Sequence, residues 1–348
     1  MTAKFFNTSG PVKPDTHYTL DPFSRLDGQE VHQLIAPGAQ GAEWGTGVGV
    51  LSNGVSPSSV VTPAGQWRTI LDFLSQRFPF ISRTVWQQRM QAGKVLGAQG
   101  AALTPETLFT PHQRLFYYRN VEFEPQIPFQ ETILWRNEHL LVVDKPHFLP
   151  VIPSGKYVQQ TLLTRLKNTL GQNDISPVHR IDRDTAGLVL FSLQPQSRNH
   201  YHALFRQREV HKIYECIAPW NPDLCWPQVR HTRITDGVHF MQQTEVTGSP
   251  NALTHITPLE THGNRAHYQL KPVTGQRHQL RVHMAALGLP IVGDGIYPIL
   301  TPEGHTDYNN PLQLLAKSVA FTDPLTGQAL YFESQLKLKS LIGCFGED

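Results

Sequence analysis

Cysteine is scarce in this chain of 348 residues: there are three, Cys216, Cys225 and Cys344. Three thiols cannot build a disulfide framework, and the odd count points to a reducing compartment. No two of them form a CxxC pair, so no structural metal site is expected. Long apolar runs are also lacking, and nothing approaches the ~18 residues of a membrane-spanning helix. The opening residues, Met1 to Pro11, have no apolar core of a secretory signal, so the expected location is the cytoplasm, with no membrane partner. Charge is sparse and balanced, at 17% of residues and a formal net charge of +2. That balance by itself indicates no nucleic-acid partner; the placement of the charges has to decide. Dinucleotide and phosphate-loop fingerprints are missing as well, which leaves no signal for a nucleotide cofactor.

What is present suffices for a folded protein. Hydrophobic residues make up 39% of the chain, and the length suggests about two domains at roughly 150 residues each. Residues 1–64 show little periodicity, with Gly, Ser, Pro and Ala crowding 35–65, and read as an irregular arm. From Thr69 to Gln91 apolar residues follow helical spacing, broken at Phe78-Pro79. The pattern predicts two short helices, the second N-capped by Ser82 and stopped by Gly93. A hairpin is expected over 133–143, a helix over 158–169, a buried strand over 187–192 and a polar helix over 196–209. Thr274 is placed to cap a helix running from Gly275 to Leu287, stopped by Gly288. Short strands interspersed with helices, without regular βα alternation, predict an α+β class with a mixed, largely antiparallel sheet.

Three segments concentrate chemistry. In His179-Arg180-Ile181-Asp182-Arg183-Asp184, two arginines and two aspartates crowd a turn ahead of the buried strand. The same residues suit a solvated charged loop or a carboxylate kept ionised by neighbouring cations, as a nucleophile requires. Lys212-Ile213-Tyr214 puts a tyrosine in a strand-like stretch, either as core or as a flat stacking face with a hydroxyl. In the segment from Thr274 to His283, Arg277 and Arg281 are four apart and would share a helical face. His278 and His283 are five apart, which fits no simple metal spacing.

Taken in order, Asp144-Lys145-Pro146, HRIDRDTAGLVLF (179–191), Lys212-Ile213-Tyr214 and TGQRHQLRVHMAALGLPIVGDGIYP (274–298) resemble the RluA-type pseudouridine synthases over about residues 132–335. The resemblance implies a catalytic domain over 130–340, built as two antiparallel halves flanking a central cleft. It implies isomerisation of uridine to pseudouridine in RNA, with no cofactor. Asp182 matches the catalytic aspartate, Tyr214 the active-site tyrosine, and Arg281 the basic residue that pairs with that aspartate. Arg180 matches a residue that helps to hold the everted RNA, and Leu280 an apolar position packing on the target base; Arg183 and Lys212 are further candidates for substrate contact. His179 is read as structural support. Two departures stand out: Ala186 where the family usually has Ser, and Gln276-Arg277 where a basic-then-small pair is commoner.

Residues 65–122 resemble an alpha-L RNA-binding module, a small α/β unit whose helix pair presents basic side chains to phosphates. Residues 68–94 carry five basic residues, including Arg77, Arg83, Arg89 and Lys94, against the single acid Asp72. A plain amphipathic helix pair would show the same pattern, and the module's usual glycine-rich tail is degenerate at 93–100. Residues 198–212 form a second basic stretch, with Arg198, Arg206, Arg208 and Lys212 against Glu209. The expected partner is therefore RNA, ribosomal before transfer RNA, acted on by a monomer with no obligatory protein partner. A non-catalytic RNA-binding or RNA-folding protein on the same scaffold is the alternative from another class.

Overall fold

The computed structural model describes residue 55 and residues 57–118, 124–301 and 306–341. The expectations for residues 1–54 and the thiol of Cys344 lie outside the described residues.

The chain first forms β1 (Ser58–Val61), α1 (Ile70–Arg77), α2 (Arg83–Gln91), β2 (Val95–Leu96) and β3 (Arg114–Tyr117). The strands make a small antiparallel sheet in the order β1-β3-β2. Thr69 and Asp72 close a reciprocal capping box at the start of α1, and Ser82 caps α2 as the sequence predicts. Ile70, Phe73, Trp86, Met90 and Leu115 enclose a core of their own.

The larger sheet begins with β4 (Thr132–Arg136) and β5 (Leu140–Lys145), followed by α3 (Leu162–Leu170), β6 (Ser176–Pro177), β7 (Ala186–Ser192) and α4 (Pro195–Arg206). It continues through β8 (His211–Pro219), β9 (Gln228–Asp236), β10 (Gln243–Val246), β11 (Ala252–His262), β12 (Arg265–Pro272), α5 (Gln279–Ala286), β13 (Leu314–Thr322) and β14 (Ala329–Glu333). Its order is β10-β9-β11-β12-β8-β13-β7-β5-β4, with β14 on β13 and β6 on β7. The fold is α+β, and the sheet is mostly antiparallel.

Why β5 and β7 are buried on every residue follows from what covers them. Leu141, Val143, Val189 and Phe191 pack with Leu162 and Leu166 of α3. Their alternate neighbours Leu140, Val142, Leu188 and Leu190 pack with Tyr201 and Leu204 of α4. Both faces are covered, so the two-residue alternation disappears. On β12 it returns: Ala266, Tyr268 and Leu270 face a core with Leu280 and Met284 of α5, while the residues between them lie on the other face.

Among the described residues, one pairing breaks the antiparallel pattern. β13 runs parallel to β7 through Leu315↔Ala186 and Ala316↔Gly187, and antiparallel to β8 on its other side. Gly187 adopts φ +106, and a Cβ there would lie 2.3 Å from the Ala316 carbonyl oxygen, so this contact admits no side chain. The junction sets Gly187 of β7 and Tyr214 of β8 opposite the same residue, Ala316, on the two edges of β13.

The predicted helix starts differ from the observed ones at two places. Glu124 accepts from the backbone N–H groups of Val158, Gln159 and Gln160, which hold 158–160 as a turn, and Thr161 caps α3 instead. Thr274 does not cap α5. Its hydroxyl donates to Gln279 Oε1 and accepts from the Leu253 N–H, tying the segment to β11. The helix starts only at Gln279, after His278 in a left-handed conformation at φ 54.

Candidate active site

Asp182 lies in the loop between β6 and β7, Tyr214 on β8 opposite Ala316 of β13, and Arg281 in the first turn of α5. The three meet on one cavity of about 770 Å³. Arg180, Arg183, Lys212 and Leu280 line the same cavity, so every substrate residue expected from the larger sheet is gathered there. Arg77, Arg83, Arg89 and Lys94 belong to the small sheet's helices and their exit. Arg83 is ion-paired with Asp72 at 2.7 Å, and Arg89 lies over the Trp86 ring, 5.0 Å from its centroid.

The charge arrangement is a three-member relay. Arg281 Nη1 donates to Asp182 Oδ2 at 3.1 Å. The rest of its fork is engaged by Asp294, with Nε to Oδ2 at 2.8 Å and Nη2 to Oδ1 at 2.6 Å. The bidentate partner of Arg281 is thus Asp294, and Asp182 receives a single bond. The Asp294 side chain is 1% exposed, and it also accepts from the N–H groups of Ile296 and Tyr297. Burial opposes the charge on Arg281, but the Asp294 hydrogen bonds and the charges of Asp294 and Asp182 outweigh it and hold its pKa above the ordinary value. Asp182 keeps 28% of its side chain exposed toward the cavity.

The expected shared helical face of Arg277 and Arg281 is not formed. Arg277 precedes the helix and donates to the backbone carbonyls of Phe240 and Met241. Between the two arginines, His278 places Nε2 3.8 Å from Asp182 Oδ1 and Nδ1 3.1 Å from the Tyr297 hydroxyl. Burial, and then the Asp182 charge, raise the Tyr214 phenol above its ordinary value, so the hydroxyl is neutral at physiological pH. Lys212 donates to the Thr274 carbonyl at 3.3 Å, and Arg183 pairs with Asp184 at 2.8 Å.

Sequence reasoning missed two charged groups here. Lys145, at the end of β5, is fully buried and donates to the carbonyls of Pro146 and Arg183, both at 2.9 Å. Burial pulls its ammonium down to about 7, against the attraction of Asp184 and Asp182. A charge closing an apolar run was the available signal. Asp294 is visible as the Asp of Gly293-Asp294-Gly295 inside the 274–298 motif, which carries no assigned role for it.

Two histidines support the surrounding frame. His179 accepts from the Leu190 N–H and stacks on Phe205, and burial lowers its pKa to about 3. His283, fully buried between Thr232 and Thr254, is lowered to about 4 by burial and then by Arg230. Unfolded histidines take up protons below about pH 6.5, whereas these do so only near 3 and 4. The unfolded state therefore binds more protons in that window, and stability falls as pH drops through 6.5. Urea unfolding between pH 7.5 and 5 should lose up to about 1 kcal/mol per pH unit for each, and His179→Gln should flatten the slope. An unchanged slope would remove His179 from this account.

A carboxylate facing a cleft, held by a buried arginine and faced by a neutral tyrosine, on one continuous and mostly antiparallel sheet, fits the site that the resemblance to the RluA-type synthases implies. Residues 139–286 match the family described as RNA pseudouridylate synthase. An uncharacterized RNA pseudouridine synthase of Synechocystis is 32% identical over 66% of this chain and 79% of its own length. The dual-specificity RNA pseudouridine synthase RluA of Salmonella typhimurium is 34% identical over 60% of this chain and 94% of its own. Among solved structures, human RNA pseudouridylate synthase domain containing 1 shares the fold at TM-score 0.50 and 22% identity, over 61% of this chain and 86% of that one. The chain belongs to the RluA-type RNA pseudouridine synthases, and it is an enzyme that isomerises uridine in RNA to pseudouridine. Among the described residues, no helix is long and apolar enough to cross a membrane.

Proposed function

We propose that Asp182 is the group that acts on the target nucleotide, oriented by Arg281, with Tyr214 as the face on which the uracil stacks. The observation that carries this is the single Arg281–Asp182 hydrogen bond at the cavity wall. A charge-assisted bond to Oδ2 fixes the orientation of the carboxylate and leaves Oδ1 for the nucleotide. The reaction breaks the N1–C1′ bond and forms C5–C1′; C5 loses its proton and N1 gains one. Substrate and product are isomers, so it requires no redox or phosphoryl cofactor. A neutral Tyr214 suits stacking directly; as the base for the C5 proton it would first have to give up its own. The uridine must leave its stack to reach the pocket, at a cost of a few kcal/mol. Arg180, exposed at the rim, Arg183 and Lys212 would offset part of that by contacts to the RNA backbone. Leu280 would pack on the everted base.

The substrate in this reading is ribosomal RNA, with transfer RNA second. The relatives include the ribosomal large subunit pseudouridine synthase D of Pseudomonas aeruginosa, named for a ribosomal substrate, and an enzyme named for dual specificity. Residues 65–122 act as the RNA-binding module and 130–340 as the catalytic domain of a cytoplasmic monomer. Arg77, exposed at the end of α1, and Lys94 are the best placed to reach phosphate, since Arg83 is paired and Arg89 packs on a ring. The deciding experiment is site-resolved pseudouridine mapping of ribosomal and transfer RNA from cells with and without this protein. At least one ribosomal site should vanish on deletion and return with the wild-type chain. A vanished site confined to transfer RNA would move the substrate, and no vanished site would sink the proposal.

A further inference from the structure

The hairpin joining β9 and β10 carries two apolar side chains in the open: Val238 is 111% exposed and Phe240 70%. Such exposure usually belongs to a mobile tip, but this one is tethered. Its ends close on the Gly237 N–H to Gln242 carbonyl bond. Arg277 donates to the carbonyls of Phe240 and Met241 at 3.0 and 3.3 Å. Gln242 donates to the Ile296 carbonyl, and the Gln243 N–H donates to the Tyr297 hydroxyl at 2.7 Å. That hydroxyl also meets His278, and the Arg281 guanidinium lies 5.5 Å from the Tyr297 ring centroid. The tip is therefore linked through Tyr297 to His278 and Arg281, both of which approach Asp182.

Phe240 lines a second cavity of about 910 Å³, together with Met241, Lys156 and Tyr157. This cavity and the one holding Tyr214 share the wall made by Asp182, Arg183, Arg277, His278 and Arg281. An RNA strand whose uridine occupies the first cavity must continue past this wall. What it would meet is an aromatic ring on a pinned backbone with cations beside it. That combination suits a nucleobase: the ring supplies a stacking face with little ordering left to lose, and Arg277 and Lys156 supply charge for the adjoining phosphates. It also gives a use to Arg277, one of the positions that depart from the family pattern.

We propose that Phe240, held in place by Arg277, stacks on a nucleotide flanking the target uridine and contributes to the choice of target. This rests on the pseudouridine synthase reading of the same cleft. The test is pseudouridine formation on ribosomal and transfer RNA transcribed in vitro, in separate arms, as a function of RNA concentration. Wild type, Phe240→Ala and Phe240→Trp are compared. On whichever RNA the wild type modifies, Phe240→Ala should raise KM roughly 10-fold, from the loss of one base–aromatic stack. kcat should stay within about two-fold, and Phe240→Trp should restore KM. An unchanged KM for Phe240→Ala, or a loss confined to kcat, would overturn the proposal while leaving the assignment of Asp182 standing. No product from the wild type on either RNA would instead overturn the reading of the cleft, and this inference with it.

Discussion

Asp182→Asn should abolish pseudouridine formation, by at least about 10⁴-fold in kcat, the scale on which enzymes respond to loss of the attacking group. The substitution keeps the side chain's shape and removes its charge, so the effect isolates the carboxylate's chemistry. It should leave the rest of the relay standing, because Arg281 retains both bonds to Asp294. Stability should accordingly change by no more than about 1 kcal/mol, and RNA binding by a few-fold, since a neutral amide replaces one negative group in a cleft that receives phosphates. Single-turnover assays on transcribed RNA, with urea unfolding and filter binding alongside, read all three quantities. Asp182→Asn activity near the wild-type rate would remove Asp182 from its role. A collapse in stability would mean that the loss of activity is not chemical.

The second large effect concerns the buried end of the relay. Arg281→Met leaves the Asp294 carboxylate, 1% exposed, without its cation. Breaking a buried pair from one side costs about 3–5 kcal/mol, so both folding stability and activity should fall. Arg281→Lys keeps the charge but not the fork; a single ammonium cannot give Asp294 two parallel bonds and Asp182 a third. Asp294→Asn is the more telling change. It does not touch the carboxylate that faces the cavity, yet it loosens the arginine that aims it. A misplacement of about 1 Å is enough for a 10²-fold loss, and the loss should appear in kcat with KM little changed. In a double-mutant cycle the Arg281→Lys and Asp294→Asn effects should be strongly non-additive, because each removes the same alignment. Additive losses would show that Asp294 acts independently of Arg281.

The ordered motifs made much of the site legible. Asp182, Tyr214, Arg281 and the four candidate contacts from the same domain all face one cavity. The misreadings share a cause. Thr274 has the residue type and spacing of a helix cap, but its hydroxyl is engaged by Gln279 and by β11. Arg277 and Arg281 have the spacing of a helical pair, but the helix begins between them. Lys145 ends an apolar strand, and nothing in its neighbourhood says that its ammonium will meet the Arg183 carbonyl 38 residues away. In each case a contact from another element overrode the local pattern.

By itself the sequence determined what depends on near neighbours. The capping of α1 and α2, the buried run of β7 and the hairpin of β4 and β5 follow from side-chain period and backbone preference over a few residues. Who holds whom was decided only by the tertiary structure. Arg281 finds Asp182 across 99 positions and Asp294 across 13, through a sheet whose parallel contact at Gly187 brings the aspartate loop level with Tyr214 across β13. Residue type announces that a charge must be paired. The partner is set by strand register and helix placement, which no local stretch of chain specifies.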